Sequence, residues 1–349
     1  MVRHAHKLSI FIVLVIISSC SESTSTPPKI LDTVNTQDEV RGVEAFDLST
    51  KYPNLINTIE FESGCDPSSG VKAVYNYDSR TTPCDPNISS ELIDKTKSVA
   101  MLIDSKQLGF VGEKDGKRVF IIKSTRLDNH IESVYGTRAC SHLRYRSERN
   151  SGFCTGFLID ENNSSRELVT AAHCLEKRSN TSLKVIFTET PSGVKVRSSA
   201  LRSEIFVTED QIFSVKDRTN FEEDFSILEL DREVRNVRPL SVSKNRRMYK
   251  SDSLQMIGHP VGLMMKISRG EVVKDSRRST HILAHLDSFG GNSGSPVISS
   301  ESGEVVGVLV SGQSDFGYSS RSTSCIEDRV YSSSDNSGEL VLKIRRYLN

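Results

Sequence analysis

Three side chains in separate segments have the chemical types needed for nucleophilic catalysis by a hydroxyl group. His173 lies in the segment TAAHC, Asp224 directly precedes the apolar run FSILEL, and Ser293 lies in the glycine-rich segment GGNSGSP. A histidine can take the proton of a serine hydroxyl, and a carboxylate that accepts the histidine Nδ1–H fixes its tautomer and stabilises the imidazolium. Together the three residues predict acyl transfer through a serine.

The backbone around Ser293 is expected to supply the groups that bind a developing oxyanion. Its flanking glycines allow a sharp turn that offers N–H groups to that oxyanion, and we assign these to the amides of Gly291 and Ser293. Each segment alone has a plainer interpretation: a structural histidine, an acid that caps a turn, or a Gly/Ser loop. Glu222 and Glu223 compete with Asp224, which is the only one of the three at the head of the alternating strand.

The segments CTGFLI, TAAHC, DFSILEL and GGNSGSP, with the order His, Asp, Ser, resemble the trypsin/chymotrypsin superfamily. The resemblance covers about residues 71–349 and is densest over 154–312. It implies a serine endopeptidase in which a Cys154–Cys174 disulfide pins the loop that carries the base. GNSGSP and IGHP resemble the bacterial branch that includes glutamyl endopeptidases, and His259 of IGHP is expected to be structural.

The residue six positions before the nucleophile is Asp287, followed by Ser288, which resembles the base of the trypsin specificity pocket. A buried, unpaired carboxylate there implies cleavage after Arg or Lys. Ser311 and Gly312 resemble the segment that pairs with the substrate backbone. Two alternatives remain open: Asp287 pairs internally with Arg277, Arg278 or His285, or the enzyme has acidic specificity. The wall strand VLV lacks the histidine of glutamyl endopeptidases, which disfavours acidic specificity. His281 and His285 remain as candidates to bind an acidic substrate side chain.

Asn292, directly before the nucleophile, departs from the animal trypsins, which have an aspartate at this position. Those enzymes become active when a new N-terminal ammonium pairs with that carboxylate, and an uncharged amide cannot take part in this. We therefore expect any pro-segment to act by blocking the cleft or assisting folding. An insertion over residues 104–152 has no functional interpretation from the sequence.

Composition excludes several functional classes. The chain carries 45 basic and 45 acidic side chains, so its net charge gives no reason to expect nucleic acid as a partner. HEXXH and CXXC motifs are absent, which argues against a zinc site, and we expect no metal or cofactor. The expected partners are protein or peptide substrates of a monomer. A non-catalytic binding or adhesion protein on the same fold is the rival class.

The N-terminus has the pattern of an export signal. Arg3 and Lys7 precede the apolar run 8–17, which is too short to span a bilayer as a mature helix. The run ends in ISSC, which looks like a bacterial lipobox with Cys20 as the lipidated residue, although ordinary signal cleavage nearby is the alternative. We expect a signal over residues 1–20 and an exported protein, either secreted or a lipoprotein of the cell envelope.

A polar tether and pro-segment are expected over residues 21–70, with the N-terminal barrel over 71–240 and the C-terminal barrel over 241–349. A preference for basic residues also suggests self-cleavage between Lys72 and Ala73. Beyond Cys20, six cysteines in an exported chain predict three disulfides. Apart from Cys154–Cys174, three connectivities are open, and we favour Cys65–Cys84 and Cys140–Cys325.

The remaining pattern consists of short β-branched and aliphatic segments bounded by turn residues, which indicates an all-β barrel or sandwich. The resemblance narrows this to two six-stranded antiparallel β-barrels of the chymotrypsin-like type. Residues 338–348 differ, because Leu340, Val341, Ile344 and Leu348 recur at helical spacing. That spacing predicts a C-terminal α-helix.

Overall fold

The computed structural model describes residues 46–63, 78–160, 164–189, 194–201, 203–244, 247–276, 278–321, 324–331 and 337–348. The expected signal, Cys20, most of the tether, Cys65 and the Lys72–Ala73 bond lie outside these residues. No helix in the described part of the chain is long and apolar enough to cross a membrane.

The described residues form short strands, two α-helices and several 3₁₀ turns. The helices are α1 Ser90–Thr96 and α2 Leu127–Tyr135. The strands are β1 Phe46–Asp47, β2 Ile59–Ser63, β3 Val99–Asp104, β4 Leu108–Lys114, β5 Lys117–Ile122, β6 Thr125–Arg126, β7 Arg149–Asn150, β8 Cys154–Leu158, β9 Glu167–Thr170, β10 Leu183–Ile186, β11 Val194–Ser198, β12 Ile205–Thr208, β13 Ile212–Asn220, β14 Ser226–Leu230, β15 Ser253–Gly258, β16 Lys266–Lys274, β17 His281–Leu286, β18 Pro296–Ser299, β19 Val305–Ser311, β20 Phe316–Tyr318, β21 Ile326–Asp328 and β22 Glu339–Leu342.

Twelve of these strands close into two antiparallel barrels, which confirms the expected chymotrypsin-like architecture. The first barrel has the strand order β10-β13-β14-β9-β8-β3, and the second has the order β15-β16-β17-β22-β19-β18. One apolar cluster contains side chains of both barrels, including Phe157 and Phe225 from the first and Ile257 and Val308 from the second. The two barrels therefore share a continuous core.

A further six-stranded sheet, with the order β1-β4-β5-β12-β11-β2, packs on the first barrel. Strand β3 explains the contact, because Leu102 belongs to the core shared by the barrels while Met101 and Ile103 pack with Phe120 and Ile205 of the added sheet. Successive side chains of a strand point to opposite faces, so a strand that is buried on both faces reads as a continuous apolar run.

The added sheet contains both the insertion and part of the expected pro-segment. The β4–β5 hairpin comes from the insertion at residues 104–152, and β1 and β2 come from residues 46–63. Strand β2 pairs antiparallel with β11 over five residue pairs. The described part of the N-terminal segment is thus integrated into a sheet by backbone hydrogen bonds.

The predicted C-terminal helix is wrong. Residues 339–342 form strand β22, which lies between β17 and β19 and closes the second barrel, and a 3₁₀ turn follows at Ile344–Arg346. Val341 and Leu342 are fully buried, whereas Leu340 is 39 % exposed. Pairing on both edges and closure of the barrel outweigh the helical spacing, because a barrel with five strands would leave two sheet edges unpaired.

A disulfide joins two segments that lie outside the barrel strands. The predicted Cys140–Cys325 bond is present and links the loop after α2 to the residue before β21. Cys84 is also disulfide-bonded. Because Cys65 lies outside the described residues, the Cys65–Cys84 pairing stays a prediction.

Candidate active site

The base and its acid lie on the first barrel. His173 is in the 3₁₀ turn Ala172–Leu175 that follows β9, and Asp224 lies in the turn just before β14, the strand next to β9. The Asp224 carboxylate accepts two hydrogen bonds from His173, from the backbone N–H at 2.8 Å and from Nδ1 at 2.7 Å. Of the three neighbouring acids, Asp224 is therefore the one that binds the histidine.

These contacts shift both pKa values toward the charged pair. The hydrogen bond from Asp224 raises the pKa of His173 against the opposing effect of partial burial, and the charge of Glu176 adds to the increase. Burial alone would raise the pKa of Asp224, but the hydrogen bonds from His173 outweigh it, so that pKa is lowered. The side chains of His173 and Asp224 are 39 % and 37 % exposed, so the pair is accessible from solvent.

The predicted Cys154–Cys174 disulfide is present and fixes the histidine turn to the first residue of β8. Cys174 also faces the nucleophile loop, because its Sγ lies 3.7 Å from the carbonyl oxygen of Ser293. The disulfide thus joins the position of His173 to that of Ser293.

Thr155 of the first barrel holds the serine loop of the second. Its backbone N–H donates to the Ser293 carbonyl at 2.9 Å, and its hydroxyl donates to the Gly291 carbonyl at 2.9 Å. Gly294, at φ +88°, passes so close that a Cβ there would lie 2.1 Å from the Thr155 carbonyl oxygen. This role could not be predicted from the sequence, because Thr155 resembles any other residue of a β-strand there.

The peptide between Gly290 and Gly291 is oriented by its carbonyl, which accepts from the Val261 N–H at 2.5 Å. In a trans peptide the N–H points away from the carbonyl, so the Gly291 N–H points away from Val261. Gly291 has a φ of +88°, a conformation that glycine adopts without steric cost. Among the described residues, the amides of Gly291 and Ser293 donate no backbone hydrogen bond, as donors reserved for an oxyanion would require.

Asp287 lines a cavity of about 300 Å³ together with Ser288. Its Oδ2 accepts the backbone N–H of Ser79 at 2.6 Å, and it forms no ion pair with Arg278 or His285. Arg277, the third expected partner, lies outside the described residues. His285 lines the same cavity, whereas His281 does not.

Ser311 and Gly312 lie at the end of β19 and immediately before Gln313, which lines the cavity. Gly312 packs against a carboxylate that sequence reasoning missed, since a Cβ at Gly312 would lie 2.0 Å from an oxygen of Glu339. Asp315 is a second missed acid of this cavity, and its Oδ2 accepts the Gly290 N–H at 2.7 Å. Because the three acids come from three separate strand ends, no spacing in the sequence groups them.

His259 and Asn292 support the loop from inside the protein. His259 is fully buried, donates from Nδ1 to the Leu263 carbonyl at 3.0 Å, and has its pKa lowered to about 4 by burial. The buried side chain of Asn292 donates from Nδ2 to the Ser288 hydroxyl at 3.2 Å. The predicted structural role of His259 fits its burial.

Two groupings among the described residues bring three metal-ligating side chains together, namely Cys154, His173 and Cys174, and Cys140, His142 and Glu327. Every cysteine in these groupings is oxidised in a disulfide, so its sulfur is not a thiolate ligand.

The arrangement of base, acid and serine loop is matched by a known family of domains. Residues 154–308 match the family model described as the trypsin-like peptidase domain. The matched range contains His173, Asp224 and Ser293 as well as both ends of the Cys154–Cys174 disulfide. No curated protein matches the chain.

Two solved structures are similar to this chain. The VesB protease of Vibrio cholerae is 12 % identical with a TM-score of 0.39, and the match covers 72 % of this chain and 62 % of that one. An inactive serine-to-alanine mutant of Rv3671c from M. tuberculosis is 13 % identical with a TM-score of 0.39, and the match covers 74 % of this chain and 88 % of that one. This chain therefore spans less than two thirds of the length of VesB.

Proposed function

We propose that this protein is a serine endopeptidase in which Ser293 is the nucleophile and His173 and Asp224 complete the triad. The observation that carries the proposal is the paired His173–Asp224 unit, joined to the Ser293 loop through Thr155 and Cys174. The match of residues 154–308 to the trypsin-like peptidase domain supports the same reaction class.

In the proposed reaction, His173 Nε2 takes the hydroxyl proton of Ser293 while Oγ attacks the scissile carbonyl carbon. Asp224 accepts from Nδ1–H and stabilises the imidazolium. The amides of Gly291 and Ser293 donate to the tetrahedral oxyanion, after which His173 returns the proton to the leaving amine. Water then attacks the acyl-enzyme by the same proton path and releases the acid product. No step requires a metal or cofactor.

Cleavage after Arg or Lys is the specificity that the cavity favours. Asp287 and Ser288 line it, and the described lining residues contribute five carboxylates and three guanidinium groups. An acidic substrate side chain would be repelled by this excess of negative charge, which argues against acidic specificity even though His285 is present.

We further propose that the protein is exported and anchored through Cys20 or secreted. Asn292 carries no charge, so maturation is independent of pairing between an ammonium group and this residue. Since β1 and β2 are built into the added sheet, a cut between Lys72 and Ala73 would leave the described part of the pro-segment attached. Intact-mass measurement would detect the new terminus at Ala73.

The test is hydrolysis of chromogenic peptides that differ only in the residue before the scissile bond: Arg, Lys, Glu or Phe. We expect rapid turnover of the Arg and Lys peptides and a loss of about 10⁴-fold or more in Ser293→Ala. Ser300→Ala, in an exposed turn after β18, is the matched control and should keep full activity. Turnover of Glu or Phe peptides alone would refute the pocket assignment. Silence of the wild-type protein on every peptide would favour a latent zymogen or a binding protein, and trimming to Ala73 would separate these two.

A further inference from the structure

The cavity that Asp287 and Ser288 line contains two further carboxylates that are not paired with the arginines of its wall, Asp315 and Glu339. Asp287 follows β17, Asp315 follows β19, and Glu339 begins β22, so the three carboxylates reach the cavity from three different strands. Among the described residues none of the three forms an ion pair. Their negative charges are therefore available to a cationic side chain of a substrate.

The other charged groups of the cavity lining are two carboxylates, Asp78 and Asp328, and three guanidinium groups. Arg80 is 4 % exposed, pairs with Asp78 at 2.7 Å and Asp328 at 3.7 Å, and stacks over the Phe289 ring at 3.8 Å. These contacts engage Nε and Nη2 of Arg80, whereas its buried Nη1 has no hydrogen-bond partner among the described residues, and its charge also lowers the pKa of Asp315. Arg269 and Arg329 are exposed at the rim. The remaining titratable groups of the lining are His285 and Tyr331, whose hydroxyl donates to the Ser314 carbonyl.

Neutral donors hold the two additional carboxylates in place. Asp315 accepts the Gly290 N–H at 2.7 Å, and Glu339 accepts the Gln313 N–H at 3.3 Å and the Ser288 hydroxyl. An ionised carboxylate offers about four lone-pair sites, so each keeps capacity for further N–H donors. Burial raises the pKa of Asp315 to about 6, and burial together with the charges of Asp315 and Asp287 raises the pKa of Glu339 to about 7.

We propose that Glu339 and Asp315 are specificity-determining residues that act with Asp287 to select an arginine side chain over lysine before the scissile bond. The proposal rests on the peptidase function proposed above. It assigns the selection to carboxylates on several walls of the cavity, held by Gly290, Gln313 and Ser288.

The chemistry of the two cationic side chains explains the preference. A guanidinium carries five N–H donors in one plane and spreads its charge over them, so it can donate to carboxylates on different walls at once. An ammonium is a compact and strongly hydrated point charge, which loses more hydration on entry and can sit close to fewer of the acids. Acids distributed over the walls therefore favour arginine.

The experiment measures kcat/KM for matched peptides that end in Arg, Lys or citrulline, the uncharged isostere of arginine. Wild-type protein is compared with Glu339→Gln, Asp315→Asn and the control Glu301→Gln, an exposed acid in the β18–β19 turn. We expect Glu339→Gln to lower Arg turnover by about 10- to 100-fold, the usual effect of losing a hydrogen bond to a charged group, and Lys turnover by less. The Arg-to-Lys ratio should thus fall, and Glu301→Gln should leave it unchanged.

A second experiment uses only the wild-type protein, so its result does not depend on whether a variant folds. The acid–base state of His173 affects Arg and citrulline peptides equally, so it cancels in the ratio of their kcat/KM values. Because kcat/KM reports the free enzyme, this ratio should rise with pH as Asp315 and Glu339 ionise, through about 6 and about 7. A ratio that stays flat between pH 5 and 8 would contradict the proposal.

The outcomes separate this inference from the proposed function. If Arg and Lys peptides are cleaved equally well and Glu339→Gln behaves like Glu301→Gln, the peptidase stands and the inference is overturned. If Ser293→Ala retains full activity, or if wild-type protein cleaves none of the peptides even after trimming to Ala73, both are overturned. Two results together support the inference: a fall in the Arg-to-Lys ratio of kcat/KM in Glu339→Gln, and an Arg-to-citrulline ratio in wild-type protein that rises with pH.

Discussion

Asp224 on the first barrel and Glu339 on the second are both partly buried acids of the candidate active site, but their partners differ. Asp224 accepts two hydrogen bonds from His173, whose ring becomes cationic during the reaction, and its pKa is lowered. Among the described residues Glu339 accepts only from a backbone amide and a hydroxyl, and its pKa is raised to about 7. The first acid has an ionisable partner, and the second has none in the part of the chain that the structure describes.

This difference follows from the stage of the reaction at which each charge is needed. The His173–Asp224 pair must be oriented before substrate arrives, so the fold provides it complete. The cavity acids gain their partner only when a cationic side chain enters, and until then their desolvation opposes folding. Sites that bind ligands commonly carry such a cost in stability.

Breaking the His173–Asp224 pair should have the largest effect on activity. Asp224→Asn keeps the shape of the side chain but favours the wrong histidine tautomer, and we expect kcat to fall by about 10⁴-fold. Glu222→Gln, two positions away and exposed, is the matched control and should keep wild-type kcat. Steady-state kinetics with the best arginine peptide measures both, and near-wild-type kcat in Asp224→Asn would show that another acid orients His173.

Removing Arg80, a buried cation of the cavity lining, should mainly reduce stability. Arg80→Met keeps an apolar stem of similar length but removes the cationic partner of Asp328 and leaves Asp78 paired with Arg144 alone, which we expect to cost about 3–5 kcal/mol. Arg126→Met breaks the more exposed pair with Asp128 and should cost about 0–1 kcal/mol. Urea unfolding at pH 7 measures the two values. Equal losses would mean that Arg80 does not balance the cavity wall.

Neutralising an unpartnered acid should stabilise the protein. The folded-state pKa of Glu339 lies above its unfolded value, so the folded state holds the proton more tightly, and the free energy of unfolding falls as pH rises from about 4.5 to about 7. Glu339→Gln should lose this contribution and be more stable than wild type at pH 8 by about 1–3 kcal/mol. Urea unfolding at pH 5 and pH 8 tests this. Lower stability of the variant at pH 8 would indicate that the carboxylate has a partner in the folded protein.

Much of the fold was predictable because its signals are local. The apolar segments that begin at Ser98, Arg118 and Thr155 all became strands, as their β-branched and aliphatic residues indicate. The C-terminal strand was not predictable, since β22 is fixed by pairing with β17 and β19, which are distant in sequence. The same holds for the added sheet, where β2 pairs with β11 across more than 130 residues.

The residues of the candidate site show the same difference between local sequence signals and long-range placement. His173, Asp224 and Ser293 each have a distinctive local context, and the structure brings His173 and Asp224 into direct contact. Glu339 lies on a strand that was predicted to be helical, and Asp315 lies in a loop between Gln313 and Phe316, so neither showed a pattern of its own. A cavity built from strand ends can be recognised only once the strands are placed.

The central claim, an activated Ser293 beside an arginine-selective cavity, can be tested by covalent labelling. A peptidyl diphenyl phosphonate with an arginine-like side chain transfers its phosphonyl group to an activated serine, with loss of one phenol. Peptide mapping by mass spectrometry after labelling the full chain should place the adduct on Ser293. Ser293→Ala and the glutamate-like phosphonate should give none. Labelling by the glutamate-like reagent instead, or an adduct on another residue, would contradict the claim.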